Sequence, residues 1–437
     1  MAETTSKPGG GGTAGEKEHR TLFHGGVLSA LGHRDYAILW SSELVSNLGT
    51  WVQTAALLWL IKNVLHSNSW VGAVNLVNFV PVIFLVSFTG TLSDRYKRRR
   101  ILIFSQMVMF FAAFALGVAA SFNSANKAAI LITVAFLGIG GAIGFPAWLS
   151  LLPDIVPQED VLNAIALSSA QWNVARLIGP LIAAVVLAFY TPAVAFYINA
   201  ASFLAVVGAL FLIHPREGPR APSSESIWKN VVDGYRYAWE HRWITRLLLV
   251  LTVVAFFGMS YIPLIPGLVQ DTLHRGSSAY SLLLAMTGLG AIFGALLVSY
   301  LVRYYREPNI IRISVFSLGA LLIGFAFLHQ IALSCLMAFG LGASFIVAGT
   351  SANSMLLNLS VREMRGRISS MFIIVYVGVS AIGGYLLTYI SDVKSVPFSL
   401  ALGGFVCLGV VLAVLIWPSL IDPGDICEPG MPCVPVR

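Results

Sequence analysis

The chain has 437 residues, of which 57% are hydrophobic and only 11% charged, and its mean hydropathy is +0.80. That composition excludes a soluble globular domain and a disordered chain, and it points to a polytopic membrane protein. The formal charge of +7 then reflects loop placement and anionic lipid headgroups, which makes nucleic acid a poor partner.

Residues 1–35 open with MAETTSKPGGGGTAGEKEHR, which has no apolar core and no cleavage site. A disordered tail with a short interfacial segment is predicted there, not a signal peptide. From residue 36 onward, apolar stretches of about 20 residues, the length that crosses hydrocarbon, recur twelve times. They lie at 37–61, 69–92, 101–121, 128–150, 163–188, 194–213, 244–267, 278–301, 310–329, 331–357, 368–390 and 397–417. The predicted fold class is all-α integral membrane, with six-helix bundles at 36–213 and 244–417 and a second tail at 418–437.

Span 1 carries Glu43 in an apolar setting, with Asn47 and Gln53 further along, and span 2 carries Asn75 and Asn78. A charge at the middle of a bilayer costs about 2.5–3.5 kcal/mol on insertion scales, so Glu43 should face a cavity or a partner. After span 2 comes GTLSDRYKRRRILI, with Gly90, Asp94, Arg95, Arg98 and Arg99; Arg98 is within reach of Asp154 at the end of span 4. Span 4 is rich in glycine, with Gly138, Gly140, Gly141 and Gly144 before Pro146. That run suits either bending or close packing. Span 5 holds Arg176 near its middle, together with Gln171 and Asn173. Glu43 and Arg176 are the proton-coupling candidates, although their depths differ by about 9 Å at 1.5 Å per residue. The amides Asn47, Gln53, Asn75, Asn78, Gln171, Asn173 and Asn353 are candidates for the substrate cavity, and each is equally able to hydrogen-bond between helices.

Segment 214–243 starts rich in Pro and Ser and continues with Ile227, Val231, Tyr235 and Ala238 at helical spacing, which predicts a linker followed by an amphipathic surface helix. Of the 27 Lys and Arg residues, 22 fall on the side of the N-terminus and four, Lys62, Lys127, Arg275 and Lys394, on the other. That bias predicts cytoplasmic tails. A shift of 205 residues lays Leu151, Leu152, Val156 and Gly179 on Leu356, Leu357, Val361 and Gly384. Two parallel six-span repeats, the architecture of rocking-bundle carriers, follow. No HExxH, GxSxG or GxxxxGK[ST] stretch is present, so an enzyme is not expected. Two tail cysteines without further ligands do not suggest a metal, and no cofactor is expected.

The loop pattern G-x-L-x-D-R-x-x-R-R-x-x-L, here Gly90 to Leu102, resembles the signature of the major facilitator superfamily. HRDYAILWSSELVSNLGTWVQ, ARLIGP and VREMRGRISS resemble its enterobactin-exporter-like, transmembrane secretion effector branch. The resemblance implies an exporter of small organic molecules, siderophore-like compounds or drugs, working by alternating access against protons in a bacterial inner membrane; a monomer is expected. It also implies that Asp94 closes an inner gate against the start of span 11, where Arg365 and Arg367 lie, and that the small residues Ala175, Gly179, Pro180, Ala183 and Ala184 of span 5 are antiporter-like. Lys97 stands where the superfamily often has a second glycine, and the repeat places Ser299 opposite Asp94. A facilitator or importer of the same fold, or a receptor that transports nothing, remains an alternative.

Overall fold

The computed structural model describes residues 26, 28–122, 126–216 and 227–422, with the backbone alone at 86–95, 227–231 and 362. Both predicted tails beyond these limits, with Cys427 and Cys433, lie outside the described residues. Among the described residues there is no strand.

Among the described residues, twelve helices are long and apolar enough to cross a membrane. Span 1 is Arg34–Leu65, span 2 Asn68–Arg95, span 3 Arg98–Ser121, span 4 Lys127–Ile155, span 5 Val161–Phe189 and span 6 Pro192–Leu212. Span 7 is Arg242–Thr272, span 8 Ser277–Leu301, span 9 Glu307–Phe327, span 10 Ile331–Asn358, span 11 Arg365–Val393 and span 12 Val396–Ile416. Most run past the apolar stretches read from the sequence, because a helix keeps its own backbone bonds after it leaves hydrocarbon. Local chemistry sets several starts. The Asn126 side chain accepts the Ala129 amide at 2.7 Å, Ser395 does the same for Phe398, and Pro192 begins span 6, where a missing N–H costs nothing.

Two spans are irregular. Span 7 leaves α-helix after Gly258, passes through a 3-10 turn at Ile262–Leu264 and ends as π-helix at Leu268–Thr272. Pro263 and Pro266 supply no amide there, so the ladder re-forms with other spacings. Span 11 carries a π segment at Ile374–Val379, a geometry frequent at functional positions.

The packing forms two rings of equal topology. Spans 2, 4, 3, 6, 1 and 5 succeed one another around the first bundle, and spans 8, 10, 9, 12, 7 and 11 around the second. Span 5 meets span 8 and span 2 meets span 11, closing two seams between the bundles. Moving the first six spans by 205 residues brings every end within four residues of its counterpart. Because lipid tails are as apolar as leucine, small residues that let backbones touch do much of the holding. A methyl at Gly290 would overlap the Phe339 carbonyl, and one at Gly179 would overlap the Trp51 side chain.

The linker holds the helix Ile227–Glu240. Gly234, Tyr237 and Ala238 are its buried positions, whereas Val232, Tyr235 and Trp239 are exposed. Tyr235 therefore does not share a face with Ala238 as its spacing suggested; Ile227 and Val231 lie outside the described side chains.

A cleft sealed at one end

The described chain ends, at residues 28–33 and 417–422, and the linker helix lie on one side of the molecule, the tail side; the opposite ends of the spans form the far side. At the far side the bundles are tied together by the 2–11 seam. The Asp392 carboxylate, at the end of span 11, accepts the backbone amides of Asn68 at 2.7 Å and Ser69 at 2.9 Å, and the hydroxyls of Ser67 at 2.7 Å and Ser69 at 2.6 Å. These amides are the first of span 2 and have no partner within it, so an acid of one bundle caps a helix of the other. Beside it, Lys62 of span 1 donates to Asp271 of span 7 at 2.7 Å, and the Asn68 side chain donates to the same oxygen at 3.3 Å. Lys62 is 5% exposed and Asp271 44%. Below this lock the seam is in backbone contact, since any side chain on Gly72 would overlap Thr388 and crowd the Tyr385 backbone. On the 5–8 seam a Cβ at Gly288 would stand 2.8 Å from the Arg176 carbonyl oxygen, and beside it Trp59 of span 1 stacks on Tyr280 of span 8 at 5.4 Å.

Toward the tail side the same helices are less covered, although Ile83 of span 2 still lies against Gly378 of span 11. Val71, Gly72 and Val74 of span 2 are buried, yet no residue from Asn75 to Leu85 is. On span 11, Ala381, Gly383, Gly384, Leu387 and Thr388 are buried, whereas every residue from Ser369 to Val377 is half-buried. A helix packed on one side alternates between buried and exposed faces. Both stretches lack the fully buried face of their far-side ends, so the inner faces are more loosely covered between the tail side and the far-side lock; this loosely covered region is the cleft.

Arg176 sits at the head of this cleft, 6% exposed. Its guanidinium carbon lies 5.7 Å from the ring centres of both Trp51 on span 1 and Phe345 on span 10. Tyr261 of span 7 and Tyr376 of span 11 are close enough to feel its charge. Tyr376 stacks between Phe345 and Phe372, each 4.9 Å away, and donates to the Phe345 carbonyl at 2.5 Å. Trp51 meets Trp172 edge-on at 5.8 Å. Among the described residues, Nε and Nη2 of Arg176 have no hydrogen-bond partner, and neither have the Trp51 Nε1 and Tyr261 hydroxyl.

The structure separates the sequence-predicted residues. Glu43 is half-buried and accepts from Gln106 of span 3 at 3.4 Å, with no bond to Arg176 among the described residues. Gln53 and Gln171 do not line the cleft. Gln53 accepts from the Asn199 side chain of span 6 at 2.9 Å, and Gln171, 2% exposed, donates to the Trp40 carbonyl at 2.8 Å. Both face neighbouring helices, where an apolar surround makes such bonds expensive to leave unmade. Asn173 donates to Ser169 in its own helix. Asn47, Asn75, Asn78 and Asn353 are half-buried, and the Asn353 Oδ1 has no partner. In span 5, Ala175, Gly179, Pro180 and Ala183 are buried and Ala184 half-buried, with Gly179 against span 1.

At the tail side Arg98 is brought to Asp154 in an ion pair and donates to the Ser150 carbonyl at 2.6 Å. Arg99 turns to span 6, donating to the Phe211 carbonyl at 3.3 Å. Arg365 bonds the Ser360 carbonyl at 3.3 Å, and Arg367 pairs with Asp233 of the linker helix at 3.5 Å. Gly90, Asp94 and Arg95 lie on span 2, outside the described side chains. Asp392, Asp271 and Asn68 gave no signal in the sequence beyond sitting at span ends, and Lys62 stood out only as a cation on the side that has few.

Comparison with known proteins agrees with this architecture. The sequence model of the transmembrane secretion effector family matches residues 25–421. A staphyloferrin A transporter of Staphylococcus aureus (strain NCTC 8325 / PS 47) is 26% identical over 381 residues, covering 85% of this chain and 94% of its own. The enterobactin exporter EntS of Escherichia coli O1:K1 / APEC is 24% identical over 337 residues, covering 75% and 78%. Among solved structures, the nucleoside transporter NupG superposes with a TM-score of 0.72 at 11% identity, covering 88% of this chain and 98% of that one. A bacterial homologue of the lysosomal transporter Spinster superposes with a TM-score of 0.67 at 13% identity, covering 89% and 95%.

Proposed function

This chain belongs to the transmembrane secretion effector family of the major facilitator superfamily, and on that premise we propose that it exports a small amphiphilic organic molecule, siderophore-like or drug-like, by alternating access coupled to proton influx. The tails and linker face the bacterial cytoplasm in this reading, following the 22-to-4 distribution of Lys and Arg. The observation that carries it is the cleft, locked by Asp392 and Asp271 at one end and more loosely covered toward the other, with backbone-close seams about which two bundles could rock.

Glu43 is the proton site of this scheme. It stands in an apolar span with one neutral donor at 3.4 Å, so its charge has little support when the cleft is dry and gains water when the cleft is wet. Asp94, at its signature spacing, closes the cytoplasmic side against the start of span 11 when the far side opens. The protein works as a monomer, with no nucleic-acid partner. The relatives' transport of staphyloferrin A and enterobactin supports a substrate of this size and mixed polarity.

The test is uptake into inverted membrane vesicles with a panel of siderophores and hydrophobic drugs, with and without a proton gradient. Gradient-driven accumulation by the wild type and its loss in Glu43→Gln are expected. Equal driven uptake by both proteins sinks the proton site, and accumulation by neither, with passive equilibration intact, makes the protein a facilitator.

A further inference from the structure

Arg176 presents a specific vacancy. Its position is 94% covered, yet among the described residues no carboxylate, carbonyl or hydroxyl accepts from it. A guanidinium so placed is costly to leave unpaired. The rings of Trp51 and Phe345, both 5.7 Å away, compensate part of that through their faces. They supply no hydrogen-bond acceptor in the guanidinium plane.

The unpartnered atoms define what is missing. Nε and Nη2 occupy one edge of the guanidinium, the edge whose two parallel N–H groups match both oxygens of a carboxylate. The other unsatisfied groups around it, the Trp51 Nε1 and the Tyr261 hydroxyl, can also donate. A buried site with several donors, one fixed positive charge and no anion of its own is complementary to an acceptor-rich anion. The surrounding side chains, Trp172, Trp51, Phe345, Tyr376 and Phe372, suit a flat or bulky apolar body.

Resting on the export reading for its biological meaning, we propose that the head of the cleft binds the carboxylate of an amphiphilic organic acid, held edge-on by Nε and Nη2 of Arg176, with its apolar body against the aromatic wall. Glu43 does not fill this place: it is held toward Gln106 on span 3. The aromatic rings cover the fork in the far-closed form, so the acid enters by turning them aside, and its arrival replaces an unpaired charge with a charge-assisted pair.

Binding, not transport, tests the site, so its failure is distinct from failure of the export reading. Purified full-length protein in lipid nanodiscs is titrated with 1-naphthylacetate and with the neutral, nearly isosteric 1-naphthylacetamide, following tryptophan fluorescence, for which Trp51 and Trp172 are reporters. The wild type is expected to bind the acid at least tenfold more tightly than the amide. Arg176→Gln should erase that preference while keeping weak binding of both, and Arg176→Lys, which keeps the charge but loses the fork, should restore only part of it. The wild-type comparison needs no variant to fold. Equal affinities for acid and amide, a preference that survives Arg176→Gln, or no binding of the acid at millimolar concentration each overturn the proposal. A preserved acid preference in a protein whose vesicles transport nothing would retain this site and remove the export reading.

Discussion

Asp392→Asn is the most direct probe of the far-side lock. The carboxylate takes four hydrogen bonds, two from backbone amides and two from hydroxyls. Asparagine keeps one acceptor oxygen and removes the negative charge from the start of span 2. Bonds to a charged acceptor contribute about 1.5–3 kcal/mol each against about 0.5–1.5 for neutral ones. Loss of the charge at an exposed helix N-terminus removes about 0.3–1 kcal/mol more. Asp392 is exposed, so solvent screening places the net change near the low end, about 2 kcal/mol. With about 1.4 kcal/mol per factor of ten, the ratio of far-open to far-closed molecules should rise about thirtyfold. Spin labels on cysteines at Val64 and Val393, both exposed at the far ends of spans 1 and 11, report the separation of the bundles once Cys335, Cys407, Cys427 and Cys433 are serine. The longer distance should gain population in Asp392→Asn. An unchanged distance distribution, shared by Asp392→Ala, would falsify the assignment of Asp392 as a lock.

The ion pair beside it should respond unevenly. Asp271→Ala strands the buried Lys62 ammonium and is expected to cost about 2–3 kcal/mol, whereas Lys62→Met releases a half-exposed carboxylate to water and should cost less than about 1. Thermal unfolding of the purified variants ranks them, and equal or reversed losses refute the assigned burial. Gly72→Leu inserts a side chain where span 2 meets Thr388 and Tyr385; with overpacking at about 1–3 kcal/mol, the same spin-label pair should report far-side opening without any change of charge. If the short distance persists, the backbone-close crossing is not what seats the bundles. In vesicles, Glu43→Gln should abolish gradient-driven uptake, and in nanodiscs Arg176→Gln should abolish the preference for acid over amide.

The twelve spans were legible because crossing hydrocarbon demands a length of apolar chain that few other structures need, and the repeat was legible because its shift of 205 residues is uniform. The break in span 7 was not read, although Pro263 and Pro266 were visible in YIPLIPG. Its apolar character continues through the break, and hydropathy does not register a missing amide. For polar residues the limiting quantity was helix rotation. Gln53 and Asn47 stand on the same span, yet one reaches Asn199 and the other is half-buried, a difference set by neighbours in another part of the chain. Arg176 was conspicuous as a charge in a span. Its frame of Trp51, Tyr261, Phe345 and Tyr376 comes from four other spans, and only folding assembles it. The lock was hidden more deeply, since its acceptor and donors are over 320 positions apart and two of the donors are main-chain groups.

Those main-chain donors make the lock adjustable from one bundle only. Any residue except proline at positions 68 and 69 offers the same two amides, so drift there gives up the side-chain bonds of Asn68 and Ser69 but keeps these two. The acid at 392 has no such freedom, because a single codon there decides whether the helix end is met by a charge, a dipole or nothing. If the bundles rock as proposed, position 392 is thus where the strength of the far-side lock is most finely graded.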